Sequence, residues 1–179
     1  MSEESIEEVL MNALKVPTTV NLVEMCYNRH IDEQRVDWDF FPRSVTFDLV
    51  FVDSVSNQFA TVLGTFSHSG RKFVVHLFLP KQSEEGIGMI AVNDKILYML
   101  EGLLRRPECN SNFMSRVESI SVTCLYAGFY KVSTKTTPFG EIAAVRNNFD
   151  DCLKNVLDSL LDISSYKFQL DNDFPDNPN

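Results

Sequence analysis

The sequence is poor in the residues that staple, ligate or span. Four cysteines, Cys26, Cys109, Cys124 and Cys152, stand far apart, with no C-x-x-C pair and no neighbouring histidine to complete a zinc set. That spacing predicts buried free thiols, Cys124 in an apolar strand and Cys152 on an apolar helix face. Three histidines occur, His30, His68 and His76, and no two fall four apart on a helix, which excludes a helical metal site. No run approaches the roughly 18 uninterrupted apolar residues of a membrane span. Positive charge is scarce: 16 Lys and Arg against 25 Asp and Glu leave a formal charge of −9. Such a surface repels duplex DNA at long range and lacks the clustered cations of phosphate binding, which argues against a sequence-reading nucleic-acid binder. The opening MSEESIEEVL is acidic rather than basic-then-apolar, so no secretory signal is read there and a cytosol is the expected place of folding.

What is present is material for a core. Hydrophobic residues make up 44% of the chain and 14 of them are Phe, enough for one domain that needs neither metal nor disulfide. A chain of this size buries about 70% of the surface its unfolded form exposes. The expected organisation is a single domain over residues 1–170 and a flexible acidic tail, DNDFPDNPN, over 171–179.

Periodicity predicts the elements. Ser5 and Glu8 have the spacing of a capping box, and Ile6, Val9, Leu10, Ala13 and Leu14 form one face of a first helix that Pro17 ends. An irregular stretch follows to about Pro42, with room for a short strand near Val20–Met25. Three strands come next. In SVTFDLVFVD, Val45, Phe47, Leu49 and Phe51 alternate with residues of a second face. FATVLGTF contains Gly64, which marks a bulge or a close approach. In the third, Phe73, Val75, Leu77 and Leu79 share a face. Short connections favour an antiparallel meander. A central helix carries the stripe Met89, Val92, Ile96, Met99, Leu100, Leu103 and Leu104. Two more strands run over Val117–Tyr126 and FYKVSTKT. A third helix is predicted from about Glu141 to Asp162 on the stripe Ile142, Val145, Phe149, Cys152, Leu153, Val156 and Leu160, with YKFQL as a possible last strand. This order predicts an α+β fold: an antiparallel sheet of about five strands with an N-terminal, a central and a C-terminal helix packed on it.

No constellation announces catalysis. Gly86-Ile87-Gly88 precedes a helix, as in a phosphate cradle. Met89 and Ile90 stand where a nucleotide loop needs Lys and Ser/Thr, and Glu84 and Glu85 would repel phosphate. SHSG and STKT do not fit the strand–turn–helix elbow of an activated serine. Asp37-Trp38-Asp39 reads as a solvated acidic loop. The expectation is therefore a non-enzyme without cofactor or metal. The strand residues Val50, Val52, Val74 and Phe78 raise a different point. They lie on the sheet's second face, so either the third helix covers that face or it packs on another subunit.

Three stretches carry a resemblance. The opening SEESIEEVLMNALKV, the run GRKFVVHLFLPKQSEEGIGMIAVNDKILYML and the later SVTCLYAGFYKVSTKTTPF resemble the first helix, central segment and closing hairpin of tailed-phage tail-terminator (tail-completion) proteins. The likeness spans roughly residues 2–15 and 43–139, and the third helix and YKFQL would make this an elaborated member. The resemblance implies a structural virion protein, assembled in the host cytoplasm, that forms a ring, usually a hexamer. Such a ring caps the tail tube and docks to the neck or connector proteins below the head. Lys81, Gln82, Glu84 and Glu85, in the polar loop, become candidates for contacts with tube or neck. The element order and acidity are also similar to type III secretion chaperones, which implies a rival: a cytosolic dimeric binding module that holds an extended segment in apolar grooves.

Overall fold

Direct succession of a strand by a short helix opens the described chain. A computed structural model describes residues 15–53, 59–80, 89–125 and 128–173. The predicted first helix and the loop of residues 81–88, with Lys81, Gln82, Glu84 and Glu85, lie outside those residues. Strand β1 (Lys15–Asn21) runs straight into α1 (Leu22–Asn28), because the Asn21 side chain accepts the Glu24 amide at 3.0 Å and caps the first turn. Pro17 therefore sits within a strand and ends no described helix. A 3₁₀ turn at Glu33–Arg35 leads to β2 (Ser44–Asp53), β3 (Phe59–His68) and β4 (Arg71–Pro80). Then follow α2 (Met89–Leu104), β5 (Val117–Leu125), β6 (Phe129–Thr136), β7 (Gly140–Arg146) and α3 (Phe149–Asp173).

The seven strands form one sheet in sequence order, two more than the five expected. The additional strands are β1, which takes in Pro17, the expected end of the first helix, and the start of the irregular stretch, and β7, whose residues fit the helical stripe of the third helix; the short strand expected near Val20–Met25 is mostly helix α1. Five strand pairs are antiparallel, β2–β3 and β3–β4 as their short connections predict, while β1 and β2 pair antiparallel across the longer connection of residues 22–43. The pair β4–β5 is parallel. A parallel pair needs a crossover to bring the chain back to the same end of the sheet, and the segment containing α2 provides it. The fold remains α+β. Residues 140–146 are a strand because the chain turns back at Thr137–Gly140, with Gly140 at φ +80°, and pairs along β6 from Thr136↔Gly140 to Tyr130↔Arg146. The last helix starts only at Phe149, where Asn148 accepts the Asp151 amide at 3.2 Å, and it continues through YKFQL to Asp173.

All three described helices lie on one face of the sheet. Helix α1 contacts β1 and β2, and α3 contacts β6 and β7. Helix α2 covers the middle, where Met99, Leu100 and Leu103 enclose a narrow void with Phe47, Phe73 and Ile120. The α2 residues predicted to be buried are so from Val92 to Leu104. Phe149, Cys152, Leu153, Val156 and Leu160 of α3 are buried as predicted, whereas Ile142 is half-buried and Val145 exposed, because a strand sends alternate side chains to opposite faces. Gly64 marks a close approach: a Cβ there would come within 2.8 Å of Leu49 Cδ2.

Candidate assembly interface

The second face of the sheet carries no described helix. Register aligns its side chains in transverse rows. One row runs Val50, Leu63, His76, Thr123, Lys131, Val145, each paired with the next across the strands. A neighbouring row holds Asp48, Thr65, Val74, Ser121, Ser133 and Ala143. Threonine, serine and valine dominate, so the face is of mixed polarity, with Leu63 exposed at 39%. The His76 ring lies 4.3 Å from that of Phe78, and burial holds its pKa below the ordinary histidine value. Of the residues singled out for this face, Val50, Val74 and Phe78 are half-buried on it, and the side chain of Val52 lies outside the described set. Helix α3 packs on the opposite face, which decides one half of the alternative posed by the sequence.

The sheet also has two edges with no described strand beside them. At β1 the hydrogen-bond pattern fixes which groups look outward. The Leu22 amide donates to the Arg43 carbonyl at 2.8 Å. Bonded pairs alternate along an antiparallel ladder, so Val20, Thr18 and Val16 bond to β2 while Thr19 and Pro17 turn their nitrogens away from it. Thr19 and Thr46 accordingly form a non-bonded pair, whose close side chains bring their hydroxyls to 2.9 Å. Proline is tolerated at residue 17 because no ladder bond is lost there. At the other edge, β7 exposes Glu141, Ala143, Val145 and Arg146, Val145 at 45%.

Beside β1, on the helix side, lies an open groove of about 300 Å³. Thr18, Val20, Met25, Ile96 and Leu97 line it, with Glu24 and Asn93 among its polar residues. The Asn93 Oδ1 is enclosed without a hydrogen-bond partner among the described residues. Arg29, also on the lining, is held 3.6 Å from Glu101, which in turn accepts from Arg105 Nη2 at 2.9 Å.

Asp37 and Lys95, elsewhere in the molecule, have structural roles. Asp37, read as part of a solvated loop, is a latch. Its carboxylate accepts the Ser111 amide at 2.8 Å and the Asp39 amide at 2.9 Å, tying the 31–43 segment to the 105–116 segment. The bond from Ser111 is the main cause that holds Asp37 below the usual carboxylate range, against burial, which acts the other way. Lys95 donates to the Tyr130 hydroxyl at 2.9 Å. Burial acts to lower its pKa, but that bond and the neighbouring Tyr and Cys groups leave it raised, so Lys95 is a charged donor and no base. All four cysteines are free and buried, as expected, and desolvation pushes Cys109 up to about 12. Among the described residues, no group of three or more His, Cys, Asp or Glu is placed to hold a metal ion, and no helix is long and apolar enough to cross a membrane. The signal that would have located the sheet edges is weak in sequence: Pro17 and Gly140 punctuate them, but each also fits a helix boundary. No protein-family model, curated protein or solved structure matches the chain.

Proposed function

We propose that the protein is a non-enzymatic structural subunit that assembles into a ring, caps a phage tail tube and joins it to the neck below the head. The observation that carries this is the seven-stranded sheet with all described helices on one side. A second face and two edges without described neighbours are surfaces that a subunit of an assembly uses and an isolated domain must protect. The resemblance of the β4–α2 region to the central segment of tail terminators supplies the kind of assembly. A formal charge of −9 suits a ring through which DNA passes without adhering. The loop residues Lys81, Gln82, Glu84 and Glu85 are the proposed contacts with tube or neck, and the virion is the proposed location.

The test is the mass of the purified protein by light scattering, alone and with tail-tube protein, paired with negative-stain images. Closed particles of about six copies are expected. The groove beside β1 favours one other reading, the acidic dimeric module that holds an extended segment, since apolar floors with edge-strand backbone alongside suit such a ligand. A stable dimer that never closes into a ring would select it.

A further inference from the structure

We infer that the joint between copies is edge to edge: the edge of β7, beside which no described strand lies, pairs with the corresponding edge of β1 of a neighbouring copy, extending one sheet from subunit to subunit. The inference rests on the ring reading above. Strand order follows sequence order, so β1 and β7 occupy opposite ends of the subunit. A contact between two different patches at opposite ends is head-to-tail, and head-to-tail contacts generate rings when the rotation closes.

Strand polarity agrees. With five antiparallel pairs and one parallel pair, β1 and β7 run in opposite directions. A copy that continues the sheet therefore sets its β1 antiparallel to β7, the ladder type most of the subunit already uses. Strand β7 is only lightly guarded as an edge: neither Pro nor Lys occurs in GEIAAVR, its charges Glu141 and Arg146 stand near its two ends, and Ala143 and Val145 are exposed between them.

Pro17 and the charge of α3 decide between possible partners. The nitrogen of Pro17 faces outward, so β1 against β1 would oppose two edges that each lack a donor. Against β7 only one donor is missing, and Thr19 keeps its amide turned outward. Pairing β7 with β7 about a two-fold axis would bring two α3 helices alongside. Over the residues whose side chains are described, each exposes Asp150, Asp151, Asp158 and Asp162 against Lys154, so like charges would face each other. The second copy's β1 is the partner these features select.

Two variants block the edges separately. Thr19→Pro removes a second outward donor from β1 and keeps the backbone ladder to β2, giving up only the hydroxyl contact with Thr46. Ala143→Lys with Val145→Lys places edge lysines on exposed positions of β7. Circular dichroism melting establishes that both fold, and light scattering reads their masses with and without tube protein. Each variant alone is expected to be monomeric under conditions where the unaltered protein assembles. Mixed one to one, they are expected to form dimers and nothing larger, because each retains one working edge. If both variants assemble like the unaltered protein, or if the mixture stays monomeric, the edge joint is wrong and the ring reading survives. If Thr19→Pro forms dimers by itself and the lysine variant does not, the joint is a two-fold β7 pair and the inference is overturned. An unaltered protein that stays monomeric even on tube protein removes the ring reading and the edge joint together.

Discussion

At the residue scale, two titratable side chains give the fold a pH dependence of known sign. Asp37 has a folded pKa lowered by the Ser111 amide, below an unfolded value of about 3.9. Its stabilisation is present in full above the unfolded value and is lost as pH falls through the folded one. Asp37→Asn cannot titrate and accepts these bonds less strongly. Urea unfolding at neutral pH is expected to show a loss of about 1–3 kcal/mol, shrinking toward zero in strong acid. An unchanged midpoint at neutral pH would mean the latch contributes nothing. His76 has the complementary sign. Burial lowers its folded pKa, so the unfolded chain takes up the proton more readily, from about pH 6.5 downward. Its effect on stability is nil above that value and becomes a penalty as pH falls toward and through the folded pKa. His76→Gln is expected to flatten stability against pH between about 7 and 5, and an unaltered slope would place the titration elsewhere. Neither role was legible in sequence. Asp37 finds its partner 74 positions away in Ser111, and the partial burial of His76 depends on its neighbours across the sheet.

At the scale of elements, the contact between α2 and α3 hinges on Gly102. A Cβ there would strike the ring of Phe149, which is fully buried and also lies 5.9 Å from the Tyr130 ring. Alanine is ordinarily the better helix former, so on propensity alone Gly102→Ala should stabilise α2. The expected outcome is the reverse, a loss of about 1–3 kcal/mol by overpacking. Thermal melting checks the sign, and combining it with Phe149→Leu is expected to give a loss smaller than the sum of the two single effects. A stabilised Gly102→Ala would show that the helices separate at no cost. The same stretch shows why β7 was read as helix. In residues 140–153, Ile142, Val145, Phe149, Cys152 and Leu153 fit the helical period. Alternation in GEIAAVR is blurred by two alanines, which satisfy either face. Pairing along β6 decided the matter, and Asn148 marked the true helix start.

At the scale of the whole molecule, the arrangement of layers is what the proposed function rests on. The helices stand in the same order as the strands beneath them, α1 over β1 and β2, α3 over β6 and β7. One face is thereby sealed, and the other, together with both edges, has no described neighbour. The proposed assembly draws on that asymmetry, and the prediction at this scale is the ring of copies and its loss when either edge is blocked. The proposed contacts at Lys81, Gln82, Glu84 and Glu85 are separable from it: Glu84→Lys with Glu85→Lys is expected to weaken binding to tube or neck protein several-fold by charge reversal while leaving the mass of the isolated ring unchanged. Pull-down with tube protein, beside light scattering, reads both quantities. Reversal without effect on binding would move the tube contact to another surface.

The sequence by itself determined the class of fold and much of its core. Alternation in 44–53 and 71–79 and the helical stripe from Val92 to Leu104 are local signals, written by a period of two or of 3.6 and legible without a partner. Burial of the four thiols followed from the apolar company of Cys124 and Cys152 and the lack of any metal-like spacing. Only the tertiary structure decided that the sheet has seven strands, that β4 and β5 are parallel, and that every described helix takes the same side. Those facts depend on which backbone groups meet across dozens of residues, and hydrogen bonds between strands leave little trace in the order of side chains along either one.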